Sequence, residues 1–401
     1  MGPEGELRVG LRVSQGRIGS VRITSTRPDV ARSLLQGRTR AEVAAAVPLL
    51  FSLCGHSQAA ASELSCAAAA AAAEPAPDAL LRCRSAVSAE TVREYAWRTL
   101  LDWPQWIAEQ PNDDAVAAAR ASLGFGLNAP AESGAALAFS LDTLAEPRAS
   151  LAFSVDTPAD PRASAIAQRI AIAAFGVAAE EWLAWESLPE FDRWLDAGPT
   201  AAARFVRQVR DDDASAGATR EPTAPCAPLL DAQEHAACML ELARACDADP
   251  EFARHPTWRG APAETGALAR LKSDPLISAL KRRSATRVPA RFVARLRELG
   301  LLLAGRAEAA VGAKILRAGE GIGWVENARG LLIHQVRLVQ DRVHTYRIIA
   351  PTEWNFHPAG ALAMALTGSP AQERDGVKRF ATRVVHSLDP CVACRVGFDD
   401  A

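Results

Sequence analysis

The chain has 401 residues, and its 45 basic and 47 acidic side chains give a net charge of −2. A chain of this length can bury a sizeable core, as one large domain or as two of ordinary size. The balanced charge argues against a nucleic-acid or anionic-membrane surface, because either partner favours a clear excess of basic side chains.

The N-terminal residues predict a β-hairpin. Apolar residues alternate with others over 6–25, and Ser14-Gln15-Gly16 provides a turn. The basic and then apolar run of an export signal does not precede the hairpin, so we expect a cytoplasmic protein whose cysteines are thiols. The apolar stretch 43–62 is interrupted by Cys54-Gly55-His56-Ser57-Gln58, which argues against a transmembrane helix.

Helical patterns dominate from about residue 30 to residue 123, where alanine is abundant. Residues 124–165 have a loop-like composition and contain a tandem duplication. Its two copies, 137–150 and 151–164, are identical at 11 of 14 positions. Two copies are too few for a stacked repeat protein, so the segment predicts a surface insertion.

Helices are predicted again over 166–211 and 231–308. Residues 210–225, between these two regions, combine small, charged and proline residues and predict a linker or surface loop.

A second hairpin is predicted over 331–349, with its turn at Gln340-Asp341-Arg342, and a short helix over 371–387. Helix outweighs strand along the chain. We therefore predict a mainly α fold with small β elements (α+β), forming one domain over residues 1–401, in which strands near the termini join the two ends.

A Cys-x-x-Cys pair, Cys391 and Cys394, lies almost at the C-terminus. Soft divalent metals usually take three or four protein ligands, so a metal bound there needs partners elsewhere, and the candidates are Cys54 and His56. Packing is the expected role of the five cysteines that lack ligand-like spacing: Cys66, Cys83, Cys226, Cys238 and Cys246.

Six segments, in chain order, resemble the large subunits of nickel–iron hydrogenases. They are PEGELRV, GRTRAEVAAAVPLLFSLCGHSQAAAS, GAPAETGALAR, ENARGLLIH, IAPTEWN and DPCVACRVG. The number of residues from Gly37 to Cys54 is also the same as in that family, and the segments span nearly the whole chain. The resemblance implies a shortened hydrogenase large-subunit-like fold.

The resemblance also implies roles for the cysteines. In those enzymes four thiolates bind the metals, and the second Cys of each pair bridges nickel and iron. The bridging positions fall on Cys54 and Cys394, and one terminal nickel position falls on Cys391. The other terminal position falls on Phe51, which cannot bind a metal, so no hydrogenase activity is expected.

Further departures concern magnesium and processing. The glutamate of the family's magnesium site falls on Arg32, and its C-terminal histidine falls on Gly397. No magnesium is therefore expected, because Arg32 would place a cation where a cation should bind. That histidine also marks the cleavage point in the enzymes, so we expect an unprocessed C-terminus. The histidine after the first Cys pair falls on Gln58.

The residues around the iron of the enzymes have counterparts that are retained. Arg329, Leu332, Pro351 and Thr352 match the pocket around the cyanide and carbonyl ligands of the iron. A guanidinium, a hydroxyl and backbone N–H groups can donate hydrogen bonds to cyanide, and Leu332 matches the apolar wall beside carbonyl. Arg329 is also expected to hold Cys54 and Cys394 as thiolates by lowering their pKa. Glu4 matches the proton-relay glutamate of the enzymes.

In retaining the iron side and losing the nickel side, the chain is similar to the hydrogenase accessory proteins of the HupK and HoxV type. The resemblance implies a non-catalytic scaffold that transiently binds an Fe(CN)2(CO) fragment, without nickel. The implied partners are hydrogenase maturation chaperones and the hydrogenase large subunit. A divergent hydrogenase large subunit and a metal-free structural homologue in a redox complex are the alternatives.

Overall fold

The computed structural model describes residues 5–27, 34–51, 53–70, 75–123, 161–217, 227, 229–230 and 239–399. The predicted loop over 124–165, with its duplication, lies outside these residues except at its end, where a helix already begins at Pro161. Among the described residues, no helix combines the length and the apolar character needed to cross a membrane.

The N-terminal part has two strands followed by helices. These elements are β1 (Glu6–Ser14), β2 (Arg17–Ser25), α1 (Arg40–Leu50), α2 (Gly55–Ala70), α3 (Pro77–Trp97), α4 (Trp103–Trp106) and α5 (Asp113–Ser122). A π-helical turn over Arg98–Asp102 joins α3 to α4. The predicted hairpin is confirmed, with its turn at Gln15-Gly16.

The described middle part is helical. Its elements are α6 (Pro161–Phe175), α7 (Ala179–Leu183), α8 (Leu188–Ala197), α9 (Ala201–Gly217), α10 (Met239–Ala248), α11 (Ala267–Arg270), α12 (Pro275–Arg283) and α13 (Val288–Leu303).

Strands return in the C-terminal part. The elements are β3 (Val311–Arg317), β4 (Glu320–Asn327), β5 (Gly330–Val339), β6 (Arg342–Ile349), α14 (Pro351–Asn355), α15 (Ala361–Leu366), α16 (Arg374–Leu388) and β7 (Ala393–Phe398). The second predicted hairpin (β5–β6) and the C-terminal helix (α16) are confirmed, and the fold is mainly α with small β elements, as predicted.

The loop predicted over 210–225 is partly wrong, because α9 continues through Gly217. Side chains beyond residue 209 tie this helix to its surroundings. Arg210 forms ion pairs with Asp192 and Asp196, and the Asp213 carboxylate accepts hydrogen bonds from the backbone N–H of Thr286 and its neighbour. These tertiary contacts stabilise a turn of helix that the local composition does not favour.

The first sheet joins the two ends of the chain in the order β2-β1-β7. Strands β1 and β2 are antiparallel, whereas β1 and β7 are parallel, with Leu7 opposite Cys394 and Gly10 opposite Gly397. The two ends of the chain do meet in one sheet, but through β7, which was not predicted; the two predicted hairpins lie in separate sheets. The pairing fixes the last described residues of the chain beside the first.

The second sheet, β3-β4-β5-β6, is antiparallel and is covered by helix α2. Two glycines of β4 permit this contact. A Cβ atom at Gly321 would lie 2.4 Å from the backbone N of Ala69, and one at Gly323 would lie 2.6 Å from the backbone N of Ser65. The helix backbone therefore rests directly on the strand, and this close packing positions α2 over β5.

We expect Gly323→Ala to destabilise the protein, because a rigid helix backbone must shift to admit the added methyl group. Overpacking of this kind typically costs about 1–3 kcal/mol. The free energy of unfolding from urea denaturation measures the effect. The matched control is Gly376→Ala in α16, where the nearest atoms are 3.8 Å away and alanine favours the helix. Equal stability of the two variants would contradict the predicted contact.

Helix α13 is buried along almost its whole length, including three arginines. Arg291 pairs with Glu264 at 2.8 Å, and Arg297 pairs with Asp274 at 3.0 Å. Arg295 donates to the backbone carbonyl groups of His386 and Ser387, at 3.0 and 2.8 Å. The central helix thus anchors the end of α16, from which the C-terminal cysteine segment departs.

Candidate metal-binding site

Cys54 lies in the short connection between α1 and α2. Its carbonyl oxygen accepts the first hydrogen bond of α2, from Gln58 N at 2.9 Å. The carboxylate of Glu90, on α3, accepts from the backbone N–H groups of His56 and Ser57 at 2.9 and 3.0 Å, and also from the Ser57 hydroxyl. A carboxylate at the N-terminus of a helix satisfies free N–H groups, so Glu90 fixes the backbone next to Cys54.

Cys391 is delivered by the segment that follows α16. That helix ends at Leu388 and is capped by Asp389, whose φ of 49° places it in the left-handed region, and Pro390 follows. The Cys391 sulfur lies 3.1 Å from the hydroxyl oxygen of Thr352, in the first turn of α14. Thr352 and Pro351 are both buried.

Arg329 occupies the turn between β4 and β5. Its backbone N–H donates to the Asn327 side chain at 2.9 Å, and its buried guanidinium donates to Glu94 at 2.7 Å and lies 3.8 Å from Asp389. Burial alone would lower the pKa of Arg329, but the acidic groups around it, chiefly Asp389 and Glu94, raise it, and the thiols of Cys391 and Cys54 act in the same direction. The guanidinium is therefore a permanent cation beside both thiols.

The same packing keeps Cys54 protonated. Burial, with Cys391 and Glu90 nearby, raises the pKa of Cys54 to about 12, although the charge of Arg329 opposes the change. The expectation that Arg329 lowers this pKa is thus correct for its own contribution and wrong for the net result. Desolvation outweighs one cation. Binding of a metal must release a proton from Cys54.

Cys394 does not join Cys54 and Cys391. It lies on β7, where alternate residues face the core, and it shares that face with Val396 and Phe398. Burial and the neighbouring Glu6 raise the pKa of Cys394 to about 12, so the expected lowering by Arg329 is wrong. The described residues contain no group of three or more His, Cys, Asp or Glu side chains arranged to hold a metal ion.

Two further residues from the sequence analysis, Leu332 and Phe51, lie in apolar clusters. Leu332 is fully buried in an apolar cluster with Leu64 and Val325. Phe51 packs against a second apolar cluster, which contains Val43 and Val336, where the resemblance would place a nickel ligand.

Gln58 lies within contact of Cys54, with 3.8 Å between its side-chain nitrogen and the sulfur. Gly397 is exposed on β7. Glu4 and Arg32 lie outside the described residues.

Three carboxylates that surround the site were not predicted. Asp389 begins the segment DPCVACRVG, and its position two residues before Cys391 was a usable signal. Glu90 and Glu94 lie one helical turn apart on α3, and burial raises the pKa of both side chains. No local sequence pattern reveals that this face of α3 meets the cysteines.

Comparison with known proteins places the chain among hydrogenase-related proteins. The family model for nickel-dependent hydrogenase matches residues 302–397. The hydrogenase expression/formation protein HoxV of Cupriavidus necator is 30% identical over 400 residues, covering 94% of this chain and 93% of HoxV. HupK of Rhizobium leguminosarum bv. viciae, which carries the same description, is 30% identical over 99% of this chain and 97% of its own length.

The fold is that of the nickel–iron(–selenium) hydrogenases. The reduced Ni-Fe-Se hydrogenase from Desulfomicrobium baculatum superposes with a TM-score of 0.51 at 12% identity, covering 95% of both chains. At this level of identity the likeness concerns the fold alone.

Proposed function

The chain belongs to the family of hydrogenase expression/formation proteins that includes HoxV and HupK, and we propose that it is a non-catalytic scaffold for an iron unit. The proposed cargo is the Fe(CN)2(CO) fragment, held before its delivery to the large subunit of a nickel–iron hydrogenase. One observation carries the proposal: residues from both ends of the chain, Cys54 and Cys391, lie around the buried guanidinium of Arg329.

The chemistry of this site suits such a cargo. Thiolates are soft ligands that favour iron bound to carbonyl and cyanide, and the fragment carries three ligands of its own, so it needs fewer from the protein. Arg329 and the Thr352 hydroxyl can donate hydrogen bonds to cyanide nitrogen atoms, while Leu332 offers an apolar surface to carbonyl. In this proposal Cys54 and Cys391 are the main ligands of the iron unit. Cys394 becomes a third ligand when its side chain moves away from the core side of strand β7.

Loss of nickel binding follows from Phe51. This side chain packs among apolar residues at the position where a fourth thiolate would stand. Three thiolates at most then remain, and the hold on the cargo is weaker than in a four-thiolate site. A weak hold suits a protein that must pass its cargo on. The proposed partners are accordingly the chaperones that bring the iron unit and the large subunit that receives it.

Infrared spectroscopy tests the proposal. Full-length protein purified from cells that synthesise the cyanide and carbonyl ligands should contain iron and show absorption bands of both diatomic ligands. Elemental analysis of the same sample should find iron without stoichiometric nickel. The control is protein from cells that lack the ligand-forming pathway, which should show neither band.

Each alternative has its own outcome in this experiment. One nickel per chain would support a divergent hydrogenase large subunit. Iron-free protein without bands, purified from competent cells, would support a metal-free structural homologue and would contradict the scaffold.

A further inference from the structure

A row of four buried polar side chains leads from the second sheet to Cys54. The Gln58 side-chain nitrogen lies 3.8 Å from the Cys54 sulfur, and its Oε1 lies 2.9 Å from His334 Nε2. The Tyr346 hydroxyl lies 2.8 Å from His334 Nδ1 and 2.8 Å from the Ser62 hydroxyl. None of the four side chains is more than 4% exposed, so they must find their hydrogen-bond partners inside the protein.

The fold builds this row from three elements. Gln58 and Ser62 are four residues apart on α2 and therefore lie on the same face of the helix. His334 on β5 and Tyr346 on β6 face them from the sheet, and the glycines of β4 bring the helix close enough for direct contact.

The direction of the hydrogen bonds follows from the chemistry of each group. Gln58 Oε1 can only accept, so His334 must carry its proton on Nε2. Burial lowers the pKa of His334 to about 3, so the ring is neutral and Nδ1 is an acceptor. The single proton of Tyr346 then points to Nδ1, and the Tyr346 oxygen also lies in contact with the Ser62 hydroxyl.

We propose that the part of this row from Tyr346 through His334 to Gln58 is a one-way hydrogen-bond relay that presents a fixed N–H donor to the sulfur of Cys54. Gln58, His334 and Tyr346 are positioning residues: they hold the donor in place without binding the cargo. An amide donor does not change its protonation state, so the sulfur keeps this hydrogen bond whatever the cargo state.

The relay has a consequence for the release of the iron unit, and this consequence rests on the proposed function. A hydrogen-bonded sulfur donates less charge to a metal, which weakens its bond to iron. Gln58 would therefore favour release of the iron unit to the recipient, in keeping with a temporary hold.

The first test uses the metal-free, full-length protein and needs no cargo. Proton–nitrogen correlation spectra of histidine-labelled protein should show His334 as a neutral ring protonated on Nε2, with Nδ1 accepting a hydrogen bond. Tyr346→Phe removes that bond and should shift the Nδ1 signal of one histidine, which also assigns it. Tyr95→Phe, which removes a similarly buried hydroxyl bonded to Glu298, should leave that signal unchanged.

Protonation of His334 on Nδ1, or on both nitrogens, would overturn the relay. This result is separate from failure of the scaffold role, because it is read without iron.

The second test uses iron-loaded protein and the variant Gln58→Met, which keeps the length of the side chain and removes its donor. The carbonyl band should move to lower wavenumber, since a sulfur without its hydrogen bond donates more charge to iron. Transfer of the iron unit to the recipient large subunit should slow by about 10-fold, the effect of one lost charge-assisted hydrogen bond. An unchanged band and an unchanged transfer rate would contradict the relay.

Discussion

Substitution of Cys54 or Cys391 by serine should abolish retention of the iron unit. A serine hydroxyl is a harder ligand than a thiolate and stays protonated, so it cannot replace the soft donor beside Arg329. The proposed site offers two or three thiols at most, so loss of one removes a large part of the protein's hold on the iron unit. Iron per chain and infrared band intensity after gel filtration measure the effect.

Two further serine variants make this test specific. Cys246→Ser is the matched control, because Cys246 is a buried thiol in an apolar cluster that contains neither Cys54 nor Cys391, and it should retain the iron unit. Cys394→Ser should lower retention less than Cys54→Ser, since Cys394 faces the core on β7. Loss as large as that of Cys54→Ser would show instead that the end of β7 rearranges and all three thiols bind iron.

The hairpins show what alternation and turn residues reveal. Both predicted hairpins exist because each has alternating apolar residues and a turn that the local sequence specifies. The first two strands of the second sheet, β3 and β4, were not predicted, because their sequences lack such a clear pattern. Gly321 and Gly323 weaken a strand pattern, yet the structure requires them because α2 lies against their backbone. Their purpose is visible only once the helix is in place.

Strand β7 shows a second limit. Its six residues, Ala393–Phe398, include a cysteine and a glycine, and their strand conformation depends on pairing with β1 from the other end of the chain. That pairing sets the face on which Cys394 lies. The segments that resemble hydrogenases placed Cys394 beside Cys54, whereas the register of β7 directs its side chain to the core. Motif spacing identifies candidate ligands, but the register decides where they point.

The residues of the candidate site that could be predicted are those in the segments that resemble hydrogenases. Cys54, Cys391, Arg329 and Thr352 come from different segments, and the structure brings them to one region of the fold. The electrostatics of the site were not predictable in the same way. Glu90 and Glu94 reach the site only through the packing of α3, and the pKa of Cys54 depends on burial more than on the cation next to it. Both properties arise from tertiary packing.

The structure also explains two glycines in the segments that resemble hydrogenases. Gly266 and Gly330 have φ values of 120° and 132°, which other residues rarely adopt. A Cβ atom at Gly330 would lie 2.5 Å from the Thr265 side chain, and one at Gly266 would lie 3.1 Å from the Arg329 carbonyl oxygen. The two segments therefore pack backbone to backbone behind Arg329. Glu264, the residue before Thr265, secures one of them to the core.

Replacement of Glu264 by glutamine should be among the most destabilising single changes in the protein. The Glu264 carboxylate is 2% exposed and accepts two hydrogen bonds from Arg291, at 2.8 and 3.0 Å, and one from Arg287 at 3.1 Å. Glutamine is the same size but neutral, so Arg291 becomes a buried cation without a compensating charge. Removal of one partner of a buried ion pair typically costs about 3–5 kcal/mol. Urea denaturation at neutral pH measures the loss.

The pH dependence of stability provides a second test of the ion pairs that Glu264 forms. Burial alone would raise the pKa of Glu264, but Arg291 and Arg287 outweigh it and lower the pKa. A carboxylate with a lowered pKa stabilises the fold above its unfolded pKa of about 4.3, and that contribution disappears as the pH falls through the folded value. The glutamine variant should therefore lose less stability than the wild type on acidification below about pH 4.3.

Glu109→Gln is the matched control, because Glu109 also forms a multiply hydrogen-bonded pair, with Arg204, but at a partly exposed position. Exposed ion pairs contribute at most about 1 kcal/mol, so the control should cost far less than Glu264→Gln. If both variants cost the same, the ion pair behind Arg329 is not what holds this segment against the core. A site assembled from distant segments depends on such buried pairs, since nothing in the local sequence of either segment fixes their mutual position.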